Sequence, residues 1–302
     1  MGLKVYVDGE YYEKDQAKIS VFDHGLLYGD GVFEGIRSYS GRVFRLDAHI
    51  TRLYNSAKAI MLKVPVEPAE MKRIVKDTLA LNSLKDAYVR LIVTRGAGTL
   101  GLDPDKCPRP SIICITDSIA LYPRELYEKG LEVITVPTRR VGAGAMSPQV
   151  KSLNYLNNIL AKIEAKIAGV LEAIMLNDDG LVAECTGDNI FIVRGGKLYT
   201  PDLASGGLEG VTRGAVMELA RKAGIEVIEC RMSRHELFIA DECFLTGTAA
   251  EIIPVVVIDR REIGGGKPGP VTKKLLEKFH ALVRTEGADT AHSRAAKPGS
   301  RR

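Results

Sequence analysis

Along the first part of the chain, apolar and polar residues alternate in short runs, and this pattern predicts strands joined by tight turns. The runs extend over about residues 3–46, and residues 8–9 and 40–41 place a glycine-containing turn between them, as hairpins require. Further along, residues 87–94 and 111–116 are rich in β-branched side chains. We expect both of these segments to form buried strands.

Apolar residues at helical spacing predict helices in both halves of the chain. One helix is expected to begin at about Asp47, which suits an N-cap, and another covers about residues 67–81. A third begins near residue 156 and ends at Gly169, and its apolar side is expected to be buried: Leu156, Ile159, Leu160, Ile163 and Ile167. Later helices are predicted over about residues 212–222 and 272–283.

The order of these elements predicts an α+β fold in two parts of unequal size. Pro123 and the polar residues around it lie between two strand-rich segments, which places a linker at about residues 119–128. We therefore expect a small N-terminal domain over residues 1–118 and a larger C-terminal domain over residues 129–286. Residues 287–302 are predicted to be a disordered basic tail.

Composition and charge fit a globular protein and exclude several classes. The 302 residues are 45% hydrophobic and 26% charged, and no apolar run is long enough to span a bilayer. The net charge is +4, but the tail holds four basic residues against one acidic residue. The rest of the chain is therefore nearly neutral and has no surplus charge for a nucleic-acid backbone.

The cysteines and the N-terminus indicate where the protein works. The five cysteines are odd in number and form no Cys-x-x-Cys pair, which argues against a disulfide framework and a zinc site, so no metal is expected. The N-terminus alternates like a strand and lacks the apolar block of a signal peptide. The cytoplasm is the expected compartment.

One lysine stands where a strand gives way to a helix. Lys151 follows a strand-like pair at residues 149–150 and precedes the helix that begins near residue 156. A lysine amine at the mouth of a site can attack a carbonyl and form a Schiff base. Taken alone, residues 150–155 fit a surface lysine at a helix start at least as well, so other segments must decide.

Three further segments contain residues suited to binding or catalysis, and each has an ordinary alternative. Glu184 precedes an apolar strand, where a carboxylate can keep a pyridine nitrogen protonated or can simply be solvated. The glycine-rich residues 206–215 lead into a helix, and the free N–H groups of such a helix start suit a phosphate. Residues 245–252 form a short polar turn whose small residues let N–H groups approach an anion.

In order and spacing, these segments resemble the fold-type IV pyridoxal-phosphate aminotransferases, and within them the branched-chain amino-acid aminotransferases. The resemblance covers about residues 5–283. It is carried by Val32-Phe33-Glu34-Gly35-Ile36-Arg37, His49-Ile50-Thr51-Arg52-Leu53, Lys151 to Tyr155, the Glu184 strand, Gly210-Val211-Thr212-Arg213 and Gly247-Thr248-Ala249-Ala250-Glu251. It implies a small N-terminal α/β domain and a larger C-terminal domain with a barrel-like β core.

The resemblance also implies pyridoxal 5'-phosphate as the cofactor. Lys151 matches the catalytic lysine, which carries the cofactor as a Schiff base and later moves the substrate proton. Glu184 matches the partner of the pyridine nitrogen, and Tyr155 matches the phenol at the ring hydroxyl. Arg52 matches the phosphate-binding arginine. The other expected cofactor-binding residues are Leu208, Gly210, Val211, Thr212, Gly247 and Thr248.

For the substrates, the resemblance implies one site that takes both an apolar side chain and the two carboxylates of glutamate. The α-carboxylate is expected on the amides of Thr248 and Ala249 and on Tyr88, and the side-chain carboxylate of glutamate on Arg90. The residues expected to shape the pocket are Phe33 and, from a neighbouring subunit, Tyr28.

The implied reaction transfers the amino group of L-leucine, L-isoleucine or L-valine to 2-oxoglutarate by a ping-pong mechanism. It gives the branched-chain 2-oxo acid and L-glutamate. Because one pocket residue is expected from a second subunit, the working unit is at least a homodimer. No nucleic-acid or membrane partner is expected.

Several alternatives remain beside this interpretation. The step from Lys151 to Tyr155 is one residue shorter than in some branched-chain enzymes, and the chain has no tryptophan. A D-amino-acid aminotransferase has the same fold but places an arginine and a histidine after the strand at residues 87–94, and residues 95–104 contain no histidine. A related aminobenzoate-forming lyase, a cofactor carrier without activity and a nucleic-acid-binding module are further alternatives.

Overall fold

The computed structural model describes residues 2–118 and 122–290, and its strands form two sheets. Within these residues the strands are β1 (Lys4–Val7), β2 (Glu10–Glu13), β3 (Gly31–Tyr39), β4 (Arg42–Val43), β5 (Ala87–Thr94), β6 (Ser111–Asp117), β7 (Leu131–Thr135), β8 (Glu172–Leu176), β9 (Val182–Cys185), β10 (Asn189–Arg194), β11 (Lys197–Pro201), β12 (Val227–Cys230), β13 (Glu242–Gly247), β14 (Glu251–Ile258), β15 (Arg261–Glu262) and β16 (Ala288–Asp289).

Helices of very different length connect and cover these strands. In the described part of the chain the α-helices are α1 (His24–Tyr28), α2 (Leu46–Ala59), α3 (Pro68–Leu81), α4 (Glu125–Lys129), α5 (Leu156–Ile167), α6 (Val211–Lys222), α7 (Arg234–Phe238) and α8 (Pro270–Thr285). None of these helices is long and apolar enough to cross a membrane.

The first sheet is antiparallel and carries α2 and α3 on one face. Among the described residues its strand order is β16-β4-β3-β5-β6-β1-β2. Alternate side chains of β5 are buried in a core that they share with α2 and α3: Ala87, Val89, Leu91 and Val93. Since neighbouring residues of a strand point to opposite faces, Tyr88 and Arg90 lie on the other face of this sheet.

The second sheet curls around its own apolar core. Its strand order in the described residues is β12-β11-β10-β13-β14-β7-β8-β9, with β15 added beside β14. Strands β7, β8, β9, β10, β13 and β14 all turn side chains into one cluster, which a flat sheet could not do. Helices α6 and α8 cover the outside of β10 and β13. The predicted α+β fold with a barrel-like β core is confirmed.

The helix predicted after residue 155 forms as α5, but the side of it that was expected to be buried is exposed. The five apolar residues of that side are between 47% and 81% exposed: Leu156, Ile159, Leu160, Ile163 and Ile167. The helix instead packs Ala161 and Ala165 against Ala173 and Met175 of β8. Small side chains let the helix approach the sheet closely, so the large residues point outward.

The start of α2 also differs from the prediction. The helix begins at Leu46, after Arg45 adopts a left-handed conformation with φ of 46°, and no side chain caps it. Asp47 therefore lies in the first turn, where its carboxylate accepts a hydrogen bond of 2.7 Å from Lys72. An acidic residue in this position still interacts favourably with the positive end of the helix.

The expected linker and the expected disordered tail both contain residues that belong to regular elements. Of the expected linker, residues 119–121 lie outside the described part of the chain, while Tyr122 is buried and α4 follows. The disorder predicted from residue 287 does not hold for β16, which pairs Ala288 with Val43 of the first sheet. The remainder of the expected tail, residues 291–302, also lies outside the described residues.

Candidate active site

A cavity of about 310 Å³ lies between the two sheets. Its wall contains every site residue expected from the sequence except Tyr28: Phe33, Arg52, Tyr88, Arg90, Lys151, Tyr155, Glu184, Leu208, Gly210, Val211, Thr212, Gly247, Thr248 and Ala249. Tyr28 ends α1, is 37% exposed, and its hydroxyl accepts a hydrogen bond from the Gly101 N–H at 3.0 Å. The volume suits a small ligand.

Lys151 is held in the cavity by its backbone. Its carbonyl accepts a hydrogen bond of 3.0 Å from the Phe33 N–H, and its own N–H donates to the Ser56 hydroxyl at 3.1 Å. The amine at the end of the side chain lies 3.1 Å from the Tyr155 hydroxyl and 4.5 Å from the centre of the Phe33 ring. These contacts fix the amine beside an aromatic ring and a phenol.

Glu184, on β9, is buried and ion-paired. One carboxylate oxygen accepts a hydrogen bond of 2.9 Å from Nε of Arg140, and the other accepts the Leu208 N–H at 2.8 Å. Burial raises the pKa of Glu184, while the Arg140 charge and the Leu208 hydrogen bond oppose that rise. Arg140 was missed by the sequence analysis, because 44 residues separate it from the carboxylate that it holds.

One end of the cavity is formed by the start of α6. Gly210 precedes this helix, and a Cβ atom on it would lie 2.1 Å from Oδ1 of Asn189, so a larger residue there would displace the Asn189 side chain. Arg52 reaches the same end and donates to the carbonyl of Glu209 at 2.6 Å. The unpaired N–H groups at the helix start and the guanidinium of Arg52 together suit a phosphate.

The turn after β13 is held in place by residues of both sheets. A Cβ on Gly247 would lie 1.9 Å from Oδ1 of Asp188, so a larger residue there would displace the Asp188 carboxylate. Arg37, on β3, donates to the Ala249 carbonyl at 3.0 Å and pairs with Glu251 at 3.1 Å. This fixes the peptide groups beside Ala249, whose N–H groups are candidates for binding a carboxylate.

Several polar groups in the cavity lack an acidic or a hydrogen-bonding partner among the described residues, so the cavity suits an anionic ligand that forms hydrogen bonds. Within residues 2–118 and 122–290, the buried hydroxyl of Thr246 has no hydrogen-bond partner, and the side chains of Lys151 and Arg90 contact tyrosine hydroxyls and no acidic side chain. Buried polar groups are normally satisfied. A ligand with a carbonyl, a ring nitrogen and a phosphate, such as pyridoxal 5'-phosphate, matches this set of donors.

A pair of buried acids lies at the other end of the cavity. Glu172 and Asp188 both contact the hydroxyl of Tyr122, at 3.3 and 3.2 Å, and Lys162 lies 3.1 Å from Glu172. Burial raises the pKa of Asp188, and the neighbouring charge of Glu172 raises it further, to about 7.

The cavity also contains residues to which the sequence analysis gave no role. They are Gly35, Asn158, Lys162, Glu172, Thr186, Gly187, Asp188, Asn189 and Thr246. Four of them belong to the segment that follows Glu184, so that segment could have identified them. The periodicity of α5 gave no such signal for Asn158 and Lys162, because polar residues at helical spacing normally face water.

Comparison with known proteins decides the family. A family model described as amino-transferase class IV matches residues 31–258 of this chain. This chain belongs to the class IV aminotransferases. The expected family and fold type are thereby confirmed.

Among the relatives of this class IV aminotransferase is the putative branched-chain-amino-acid aminotransferase of Methanocaldococcus jannaschii. It is 54% identical over 277 residues, which are 92% of this chain and 95% of the relative. The branched-chain-amino-acid aminotransferase of Pseudomonas aeruginosa is 37% identical over 294 residues, covering 96% and 95% of the two chains.

Solved structures match a similar share of the chain. The branched-chain amino acid aminotransferase of Escherichia coli superposes with a TM-score of 0.91 at 35% identity, covering 94% of this chain and 95% of that one. The branched-chain enzyme of Thermobaculum terrenum, solved in its PLP-bound holo-form, gives a TM-score of 0.85 at 32% identity, covering 93% of this chain and 94% of that one.

The buried acid pair predicts how stability depends on pH. Asp188 has a pKa of about 7 in the folded protein, whereas an unfolded aspartate has a pKa of about 4. Between about pH 4 and pH 7 the unfolded chain loses this proton while the folded chain retains it, so the free energy of unfolding falls as pH rises. In Asp188→Asn this fall should be smaller, as measured by urea unfolding across that range.

The exposed Asp117 of β6 provides the control. Asp117→Asn should leave the pH dependence of stability as in the unaltered protein. An Asp188→Asn protein whose stability falls with pH as steeply as the unaltered protein would contradict the assignment of the raised pKa to Asp188.

Proposed function

We propose that this class IV aminotransferase transfers the amino group of L-leucine, L-isoleucine or L-valine to 2-oxoglutarate, with pyridoxal 5'-phosphate as its cofactor. The observation that carries the proposal is the guanidinium of Arg90, free of any acidic partner among the described residues, in a cavity that also offers Lys151 and Glu184. The relatives named as branched-chain aminotransferases support the substrate class, and the solved relative in its PLP-bound form supports the cofactor.

When bound, pyridoxal 5'-phosphate supplies a carbonyl that accepts the amino group and a ring that withdraws electrons from the reacting carbon. In this proposal Lys151 would hold the cofactor through its amine and, once released, would move the proton of the substrate α-carbon. Tyr155, whose hydroxyl is 3.1 Å from that amine, would bind the ring hydroxyl. Glu184 would pair with the ring nitrogen, and Arg140 holds the Glu184 carboxylate in place.

The remaining cofactor contacts anchor the phosphate and the ring. Arg52 and the N–H groups of Val211 and Thr212 are proposed to bind the phosphate at the start of α6. The rest of the proposed cofactor set lines the same cavity: Leu208, Gly210, Gly247 and Thr248. A phosphate fixed at one end keeps the ring aligned during proton transfer.

Tyr88 and Arg90 are proposed to recognise the substrate carboxylates. They lie on the cavity face of β5, and Nη2 of Arg90 is 3.2 Å from the Tyr88 hydroxyl. Burial raises the pKa of Tyr88, so its hydroxyl stays protonated and can donate to a carboxylate. The amides of Thr248 and Ala249 complete the α-carboxylate site, and Phe33 provides apolar surface.

The position of Arg95 disfavours the D-amino-acid alternative. Its guanidinium pairs with both carboxylate oxygens of Asp30, at 2.8 and 3.0 Å, and donates to the carbonyls of Ile60 and Met61. Arg95 is not in the cavity wall. With no histidine in residues 95–104, the chain lacks the pair that this alternative requires.

We further propose a homodimer as the minimum working unit, in the cytoplasm. Large apolar side chains are exposed along residues 19–28 and on α5, and surfaces of this kind usually contact another chain. Tyr28 lies outside the cavity of its own chain, which supports its assignment to the site of the neighbouring subunit. All five cysteines are free thiols, as a reducing compartment allows.

The first test is a half-reaction. The purified yellow protein should lose its visible absorbance with L-leucine, and 2-oxoglutarate should restore it, because the amino group moves onto the cofactor and off again. D-alanine should leave the spectrum unchanged. Loss of absorbance with D-alanine alone would contradict the branched-chain assignment in favour of the D-amino-acid branch.

A substitution at Arg90 separates the two substrate classes. In Arg90→Met, kcat/KM for L-glutamate should fall by roughly 10- to 100-fold, since a charge-assisted hydrogen bond to its side-chain carboxylate is lost. For L-leucine, which has no such carboxylate, the fall should be much smaller. Equal losses for both substrates, measured by half-reaction kinetics, would rule out this role for Arg90.

Mixed dimers test the contribution of Tyr28. Lys151→Ala chains should be inactive and Tyr28→Ala chains weakened, but dimers formed by unfolding and refolding the two together contain one site with neither defect. Activity of the mixture should then exceed the sum of the separate preparations. Light scattering should give a mass of at least twice the 32.9 kDa chain, and a monomer or an absence of recovery would contradict the proposal.

A further inference from the structure

A fully buried carboxylate lies directly behind Arg52. Glu34 is 0% exposed and sits on the core face of β3, one residue from Phe33 on the cavity face. Its two oxygens accept hydrogen bonds of 2.7 Å from Nε and from Nη2 of Arg52. His49, one helical turn before Arg52 on α2, lies 2.8 Å from the same carboxylate through Nδ1.

These contacts occupy some N–H groups of the Arg52 guanidinium and leave others for a ligand. An arginine side chain has five N–H groups, and Glu34 takes two of them, while the Glu209 carbonyl takes one from Nη1. Two N–H groups remain, one on each terminal nitrogen. Such a pair matches two oxygens of a phosphate, so the contacts with Glu34 and Glu209 determine which edge of Arg52 is presented.

The charges of the cluster follow from its burial and from the contacts among its members. Burial would raise the pKa of Glu34, but the charge of Arg52 and the hydrogen bonds from Arg52 and His49 overcome this and hold the pKa at about 2. Burial lowers the pKa of His49. Glu34 is therefore ionised and His49 neutral near pH 7, and the Nδ1 proton of His49 is donated to Glu34.

We propose that Glu34, supported by His49, is a positioning residue that aims Arg52 at the phosphate of the cofactor. The inference rests on the proposed function, because it assumes that Arg52 binds a phosphate. Since Glu34 cancels the charge of Arg52 within the cluster, the arginine contributes through the geometry of its two free N–H groups rather than through a net charge. An arginine without Glu34 would lose this orientation.

A second buried arginine, Arg95, provides a comparison. It lies directly after β5 and is held by the two oxygens of Asp30 and by backbone carbonyls, much as Arg52 on α2 is held by Glu34, but it lies outside the cavity wall. Asp30→Asn therefore removes a partly buried carboxylate from a buried arginine without touching the proposed phosphate site. It measures what such a loss does to the fold alone.

The experiment compares two probes that differ only in the phosphate. Binding of pyridoxal 5'-phosphate and of pyridoxal to the cofactor-free protein is measured by absorbance titration for the unaltered chain, Glu34→Gln and Asp30→Asn. In Glu34→Gln the affinity for pyridoxal 5'-phosphate should fall by roughly 10- to 100-fold, with little change for pyridoxal. Asp30→Asn should bind both probes as the unaltered chain does.

The phosphorus NMR signal of the bound cofactor gives a second readout that does not depend on activity. It should shift in Glu34→Gln because the contacts to the phosphate change, and it should stay in place in Asp30→Asn. If Glu34→Gln does not fold, His49→Phe keeps the Glu34–Arg52 ion pair and the ring but removes the supporting donor, because phenylalanine has no N–H in its side chain. That variant should show a smaller loss, again for the phosphorylated probe only.

Two results would overturn the inference. One is unchanged affinity for pyridoxal 5'-phosphate in both Glu34→Gln and His49→Phe. The other is an equal loss for both probes, matched by Asp30→Asn, which would assign Glu34 to the fold alone. An unaltered chain that binds neither probe would instead contradict the proposed function, so the two failures are distinguishable.

Discussion

The pairing register of β3 and β5 is the constraint on which the rest of the site depends. Gly35 lies opposite Arg90 in this pair, and a Cβ on Gly35 would fall 2.1 Å from the Tyr88 hydroxyl. Because strand side chains alternate, a slip of one residue in β5 would turn Tyr88 and Arg90 into the apolar core. The core beneath β5 and the proposed substrate-binding residues above it are therefore fixed by a single alignment.

The same alternation places the buried carboxylate of Glu34 and the ring of Phe33 on opposite faces of β3. Glu34 points into the core side, where Arg52 and His49 satisfy it completely. Phe33 points into the cavity, beside Lys151. A buried carboxylate without these partners would be costly, so the acid and the arginine have to be kept together. Arg52 is therefore held by a buried acid on the core side of β3.

Much of the fold could be predicted because it depends on local patterns. The bounds of β5 match the predicted residues 87–94, and α5 lies where its apolar spacing placed it. What the spacing could not give is which side of α5 is covered, because that depends on the small residues facing it on β8. The candidate site was predicted by resemblance, while Arg140 and Glu172 depend on contacts between distant segments, which carry no local signal.

How one pocket takes both a leucine and a glutamate side chain follows from the way Arg90 is held. Its guanidinium lies 4.5 Å from the centre of the Phe33 ring, and Nη2 touches the Tyr88 hydroxyl. Stacking on a ring occupies the flat face of a guanidinium and leaves N–H groups at its edge. An aliphatic side chain can then pack on the apolar surface beside the stack, while a carboxylate reaches the edge of the same arginine. Because Arg90 is stacked on a ring and has no acidic partner among the described residues, a substrate bound there as proposed would not have to break a salt bridge to enter.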